Sequence, residues 1–157
     1  GHRKIAVLGG PATSYPSMMR RQGAQQAMED AGIRFEDKLY GLSNYDFESA
    51  YHAMNGLLAR RAEFTALFAM SDVIAFGAIR ALVSAGLQVP EDVSVIGFDG
   101  ITMSRYCVPV MTTIVQPSEQ IALQSIELLV RQIEHGAPAQ TVTLQPELQQ
   151  GESVRAI

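Results

Sequence analysis

Short apolar runs alternate with helical patterns along the first two thirds of the chain, and this alternation constrains the fold more than any other feature. The first run, residues 5–8, is continuously apolar and stops at Gly9-Gly10-Pro11, as expected of a strand buried on both faces of a parallel sheet. Strands are predicted in this way over residues 5–8, 39–42, 66–70 and 93–98. Helices are predicted between them, over residues 17–32, 46–58 and 72–85. Such an order predicts right-handed crossovers and an α/β fold with a parallel sheet flanked by helices.

The last third of the chain departs from this alternation. A short strand is predicted over residues 112–115, and Pro117-Ser118 begins a long amphipathic helix that ends at Gly136. The apolar residues of this helix recur at helical spacing and predict a buried stripe. A further strand is predicted over residues 141–144, followed by an extended tail over residues 147–154.

The composition excludes several classes of protein. Hydrophobic residues make up 47% of the chain and charged residues 18%, an ordinary globular balance that needs no disulfide or metal to hold a core. The net charge of -4 is unlike that of a free-standing DNA-binding domain, which is usually basic. Cys107 is the only cysteine, which excludes an internal disulfide and fits a reducing cytoplasm. No apolar run approaches a membrane-spanning length.

Polar residues follow the predicted strands at the points where the strands end. Asp99 comes directly after residues 93–98, Ser71 and Asp72 follow residues 66–70, and Tyr45 follows the second strand. In an open parallel sheet, ligands bind outside the carboxyl ends of the strands. Carboxylates and arginines hold hydroxyl groups, and an aromatic ring stacks on an apolar face. These residue types therefore indicate a site for a sugar- or nucleoside-sized ligand.

Each candidate also has a purely structural alternative. Asp72 is a favoured helix cap, and Ser71 serves equally well as a cap or a ligand contact. Tyr45 has the position of a hydrophobic staple at a helix start. Arg20, in the first predicted helix, would by default be solvated. Asp99 opens an Asp-Gly turn dipeptide, and only its place after a buried strand favours binding.

Enzyme signatures are largely missing. The sequence contains no Gly-x-Ser-x-Gly motif and no phosphate loop, and no Gly-x-Gly-x-x-Gly follows the first strand. His2, His52 and His135 have no metal-ligand spacing. One enzymatic alternative has Asp72 and Asp99 holding Mg²⁺ for phosphoryl transfer, but no lysine or nucleophile follows a third strand to complete it. We therefore expect neither catalysis nor a cofactor.

Two segments carry a resemblance to a known family. Residues 75–82, Ala-Phe-Gly-Ala-Ile-Arg-Ala-Leu, and residues 86–99, which include Val-Pro-Glu-Asp-Val-Ser-Val-Ile-Gly-Phe-Asp, closely resemble the lactose/galactose repressor family. Residues 1–6 with the following Gly-Gly, residues 112–117 and Glu152-Ser153 also match the family pattern. The resemblance runs across essentially the whole chain, in order and with family-like spacing.

This resemblance implies a periplasmic-binding-protein-like effector domain, in which two α/β subdomains enclose a small molecule. Residues 1–111 would form the C-terminal effector subdomain, residues 112–144 the crossover and a remnant of the N-terminal subdomain, and residues 145–157 the return strand and tail. The family is cytoplasmic, forms homodimers and binds operator DNA through an N-terminal helix-turn-helix domain, which this sequence does not match. The predicted helix at residues 72–85 and the region of Tyr106 resemble dimer-interface segments.

The resemblance also implies a role for each candidate residue. By position, Arg20 resembles the arginine that contacts the effector, and Tyr45 the stacking aromatic residue. Ser71 falls where relatives have a polar ligand contact, and Asp99 corresponds to the carboxylate that binds sugar or nucleoside hydroxyls. Gln116, at the crossover, is a secondary candidate. The same fold and cleft also suit a periplasmic sugar-binding protein of a transporter, which stays open as an alternative.

Overall fold

The computed structural model describes residues 1–61 and 63–157 and contains a six-stranded sheet flanked by helices. The strands are β1 (Ile5–Gly9), β2 (Tyr40–Leu42), β3 (Ala66–Ala69), β4 (Ser94–Asp99), β5 (Thr112–Val115) and β6 (Glu147–Gln149). The helices are α1 (Tyr15–Asp30), α2 (Phe47–Ala59), α3 (Asp72–Ser84) and α4 (Ser118–His135). The strand order is β2-β1-β3-β4-β5-β6, parallel except for β6, which pairs antiparallel with β5. The predicted α/β fold with a parallel sheet is confirmed.

Helices α2 and α3 cover one face of the sheet and form the core with it. Leu8, Leu67 and Val95 on adjacent strands are buried in the same apolar cluster as residues of both helices. The two helices approach closely at Gly77 of α3, where an added Cβ would lie 2.4 Å from the carbonyl oxygen of Phe47. A glycine is needed there because no side chain fits between the two backbones.

Helix α1 lies on the opposite face and covers only part of it. An apolar groove of about 730 Å³ remains beside α1, and the strand side chains that line it include Phe68, Ile96 and Ile114. The predicted glycine stops of α1 and α3 are confirmed, since Gly32 and Gly86 have φ values of 65° and 82°.

The last part of the chain corrects two predictions. Residues 141–144 belong to no strand and line a pocket beside α4. Residues with a strand-like pattern form a strand only where a neighbouring strand is available for pairing. The buried stripe predicted for α4 is also wrong for this chain, because none of the described residues 118–135 is buried. The apolar residues recur as predicted, but nothing among the described residues covers them.

Strand β5 precedes α4 in the chain and β6 follows it, and the two strands are neighbours in the sheet. The division into residues 1–111, 112–144 and 145–157 stays a prediction. Among the described residues, no helix is both long enough and apolar enough to cross a membrane.

Candidate ligand site at the carboxyl edge of the sheet

Asp99 ends β4 at the carboxyl edge of the sheet, with a φ of 115°. Its Oδ1 accepts hydrogen bonds from the guanidinium of Arg20 at 3.1 Å and from Nε2 of Gln116 at 2.6 Å. The side chain is 27% exposed, and none of the described residues donates a hydrogen bond to Oδ2. Asp99 therefore has one oxygen fixed by the protein and one available to a ligand.

Arg20 is held in place by three different groups. Its guanidinium lies over the ring of Phe98, 3.9 Å from the ring centre, and donates to the carbonyl oxygen of Met70 as well as to Asp99. The neighbouring Arg21 faces the other way and pairs with the exposed Asp37 at 3.5 Å. The solvated alternative is thus wrong for Arg20, whose side chain is only 18% exposed, and a fixed arginine loses little entropy when it binds.

Ser71 and Asp72 have different roles at the start of α3. Ser71 is the N-cap, and its Oγ accepts the backbone N–H of Ile74 at 3.1 Å. The prediction that Asp72 caps the helix is wrong, because its carboxylate points away from the helix end to the hydroxyl of Thr113 and the backbone N–H of Ile101. Burial raises the pKa of Asp72, while those hydrogen bonds act to lower it.

The position of Asp72 also bears on the phosphoryl-transfer alternative. Its side chain is fully buried, and each of its two oxygens already accepts a hydrogen bond. A Mg²⁺ ion shared by Asp72 and Asp99 would have to displace these bonds inside the protein, which the geometry disfavours.

Tyr45 lies at the same edge of the sheet and has a φ of 61°. Its ring covers the backbone at the end of β1, since a Cβ added to Gly10 would lie 2.1 Å from a ring carbon. Its hydroxyl donates to Oγ of Ser17 at 3.1 Å. The ring is therefore fixed near the end of β1, and its stacking role stays a prediction.

Two residues that shape the site, Ser17 and Phe98, were not among the sequence-based candidates. The sequence predicts that the helix begins at Ser17, but α1 begins at Tyr15, and the buried hydroxyl of Ser17 accepts a hydrogen bond from Tyr45. The spacing of three residues between Ser17 and Arg20 places both on one face of a helix, so the sequence itself indicates that Ser17 lies beside the site. Phe98 gave no comparable signal, because its contact with Arg20 joins elements that are distant in sequence.

The structure brings Arg20, Asp99 and Gln116 into direct contact and places Ser71 and Tyr45 at the same edge. Since β1, β3 and β4 are parallel, their carboxyl ends converge there. The charges of Arg20 and Asp99 largely cancel, so the remaining donors and acceptors suit an uncharged ligand rich in hydroxyl groups. Such an arrangement of donors and acceptors can orient a small polar molecule.

Comparison with known proteins places this fold in an established class. Residues 1–154 match the family model described as a periplasmic binding protein-like domain. The HTH-type transcriptional repressor PurR of Histophilus somni is 36% identical over 100% of this chain and 47% of its own length. The HTH-type transcriptional regulator MalR of Clostridium butyricum is 39% identical over 87% of this chain and 41% of its own length. The chain spans about half the length of the curated relatives it matches.

The solved structures that this chain matches also include transcriptional regulators. A structure described as a transcriptional regulator CelR–cellobiose complex superposes with a TM-score of 0.93 at 34% identity, over 98% of this chain and 47% of that one. A dimeric Lac repressor superposes with a TM-score of 0.91 at 26% identity, over 98% of this chain and 56% of that one.

The sheet order and the polar carboxyl edge are those of a periplasmic binding protein-like domain. Within that class, the chain belongs to the LacI family, which is also the family of other solved structures that it matches.

Proposed function

We propose that this chain is the effector-sensing and dimerising part of a bacterial transcriptional repressor, where it binds a sugar-like molecule that changes the affinity for operator DNA. The observation that carries the proposal is the contact of Arg20 and Gln116 with Asp99 at the carboxyl edge of the sheet. The regulators among the similar proteins support it, and favour a cytoplasmic regulator over a transporter's binding protein.

The arrangement of the polar groups favours a sugar over other small molecules. The free Oδ2 of Asp99 accepts hydrogen bonds from a ligand hydroxyl, and the amide group of Gln116 offers both a donor and an acceptor. The Ser71 hydroxyl accepts from the helix end and keeps its hydrogen for a ligand. The ring of Tyr45 would stack on a flat apolar face. The cellobiose named for the similar CelR structure supports this ligand class, and a nucleoside is the second candidate.

Gln116 links the ligand site to the segment that leaves the sheet towards α4. Its backbone N–H donates to the carbonyl oxygen of Asp99 at 3.2 Å, and its side chain donates to the Asp99 carboxylate at 2.6 Å. A ligand that binds Asp99 would act directly on these bonds and on the position of α4. Only a ligand whose affinity differs between two arrangements can shift the balance between them, and the exposed apolar side of α4 is where a second subdomain would pack.

The proposed partners follow from the same family. Operator DNA would be bound by a helix-turn-helix domain outside this chain, because the net charge of -4 does not favour contact with phosphates. A homodimer would form through α3 and the neighbouring loop, where Val83, Tyr106 and Val108 are 52%, 76% and 94% exposed. Large apolar side chains exposed together are typical of an interface.

A thermal-shift screen of the full-length protein tests the ligand proposal. The panel contains cellobiose, glucose, ribose, adenosine and hypoxanthine. A ligand at 100 times its Kd adds about 2.7 kcal/mol to the free energy of unfolding, so at least one sugar should raise the Tm. Arg20→Ala should abolish this rise, whereas Arg21→Ala on the same helix should keep it. An equal rise in both variants would contradict the site.

A DNA-binding measurement separates the regulator from the transport alternative. Selection from a library of genomic DNA fragments with the full-length protein should enrich a specific sequence, and the sugar found in the screen should change the affinity for that sequence in fluorescence anisotropy. A full-length protein that binds the sugar but enriches no DNA sequence would contradict the regulator proposal and favour transport.

A further inference from the structure

Asp72 is a fully buried carboxylate that serves neither as a helix cap nor as an accessible ligand group. Its two oxygens contact different elements. Oδ1 accepts the hydroxyl of Thr113 on β5 at 2.5 Å, and Oδ2 accepts the backbone N–H of Ile101 at 2.8 Å. Burying a carboxylate lowers the free energy of unfolding unless the carboxylate is fully hydrogen-bonded. A buried Asp72 is therefore expected to have a role in the structure.

The turn that Asp72 contacts has an unfavourable backbone conformation. Asp99 has a φ of 115°, a value that residues with a side chain rarely adopt, whereas the φ of 71° at Gly100 is accessible to glycine without strain. Residues persist in this region only when the surrounding structure holds them there. On one side the turn is held by Gln116, whose N–H donates to the Asp99 carbonyl oxygen at 3.2 Å. The carboxylate of Asp72 holds it on the other side, at Ile101.

The neighbouring strand leaves room for this carboxylate. A Cβ added to Gly97 of β4 would lie 2.2 Å from Oδ1 of Asp72. Any side chain at position 97 would therefore displace the carboxylate from Thr113 and from the turn. The glycine in β4 and the aspartate in α3 thus form one arrangement directly behind Asp99.

We propose that Asp72 is a positioning residue, which holds the turn at residues 99–101 so that the Asp99 carboxylate faces Arg20 and the ligand. The ligand contact of Asp99 rests on the proposed function, whereas the holding of the turn does not. A measurement of the turn itself, made without any ligand, therefore distinguishes a failure of this inference from a failure of the proposed function.

Hydrogen–deuterium exchange with mass spectrometry on the full-length protein provides this measurement. In Asp72→Ala, a peptide over residues 98–104 should exchange about tenfold faster than in the wild type, because the loss of one buried hydrogen bond removes about that much protection. A peptide over residues 93–97 should be unchanged. Equal rates in variant and wild type at residues 98–104, or equal acceleration of both peptides, would overturn the proposal.

Two matched variants show which of the two hydrogen bonds of Asp72, to Thr113 or to Ile101, holds the turn. Thr113→Val removes the other partner of the same carboxylate but leaves the bond to Ile101, so it should lower the Tm without accelerating exchange at residues 98–104. Asp72→Asn keeps an acceptor for Ile101 and offers an N–H to Thr113, so it should exchange within about twofold of the wild type. Acceleration by either variant as large as that by Asp72→Ala would overturn the proposal.

A backbone variant covers the case in which Asp72→Ala does not fold. Ile101 has a φ of -66°, which proline adopts without strain. Ile101→Pro removes the N–H that donates to Asp72 together with the isoleucine side chain, and Ile101→Ala, which keeps the N–H, is the control for the side chain. Exchange at residues 98–100 should then increase about tenfold. Unchanged exchange there would show that Asp72 does not hold the turn.

Discussion

Replacing Asp99 separates its effect on stability from its effect on binding. Alanine removes the ion pair with Arg20, which is worth about 0.5–1 kcal/mol because both side chains are partly exposed. It also removes the hydrogen bond from Gln116, worth about 1 kcal/mol. Alanine keeps a Cβ at a φ of 115°, so no strain is relieved. We expect Asp99→Ala to lower the free energy of unfolding by about 2 kcal/mol.

Glycine at the same position loses the same two interactions but removes the strain. The left-handed backbone costs a residue with a side chain about 1–2 kcal/mol, and the greater freedom of glycine in the unfolded chain offsets about half of that gain. Asp99→Gly should therefore be more stable than Asp99→Ala by about 0.5–1 kcal/mol.

Urea denaturation of both variants, with equal m values, measures this difference directly. Neither variant should bind the sugar found in the thermal-shift screen. An alanine variant as stable as the glycine variant would refute the argument that Asp99 is held in a strained conformation.

Three further predictions concern the scaffold of the site. Gly77→Ala should lower the free energy of unfolding by about 1–3 kcal/mol in a urea titration, because its Cβ would overlap the backbone of α2. Ser153→Ala should cost about 1–3 kcal/mol and lower the calorimetric Tm, since the fully buried Oγ accepts the N–H of Thr112 and donates to the carbonyl of Val95. Burial raises the pKa of Asp72 above its ordinary value of 3.8, so stability is lost as pH rises through the raised pKa. Asp72→Asn cannot ionise, so its free energy of unfolding relative to that of the wild type should increase as the pH rises above 3.8. Urea titrations at a series of pH values measure this difference.

The sequence predicted the parts of the fold that depend on local patterns. Continuous apolar runs identified β1, β3 and β4, and glycines such as Gly32 and Gly86 marked the ends of helices. From the parallel order alone, Asp99 could be placed at the carboxyl edge. These predictions succeeded because a buried parallel strand needs apolar residues on both faces.

The sequence did not predict features that depend on contacts between distant elements. Ser71, and not Asp72, caps α3 because the carboxylate of Asp72 accepts a hydrogen bond from Thr113. Thr113 lies 41 residues away in the sequence, so no local pattern indicates this contact. Residues 141–144 have a strand-like pattern, but pairing requires a partner that a local pattern does not supply. The contact of Arg20 with Phe98 likewise depends on how α1 packs against β4.

Isothermal titration calorimetry of the full-length protein tests the central claim, that Asp99 and Arg20 bind the effector. The titrant is the sugar that gives the largest thermal shift, and the variants are Asp99→Asn and Arg20→Ala. Asp37→Asn and Arg21→Ala, which alter the exposed ion pair on the outer side of α1, are the matched controls. We expect at least a tenfold weaker Kd in each site variant, as for the loss of about 1.4 kcal/mol or more, and an unchanged Kd in both controls. Wild-type affinity in Asp99→Asn and Arg20→Ala would contradict it.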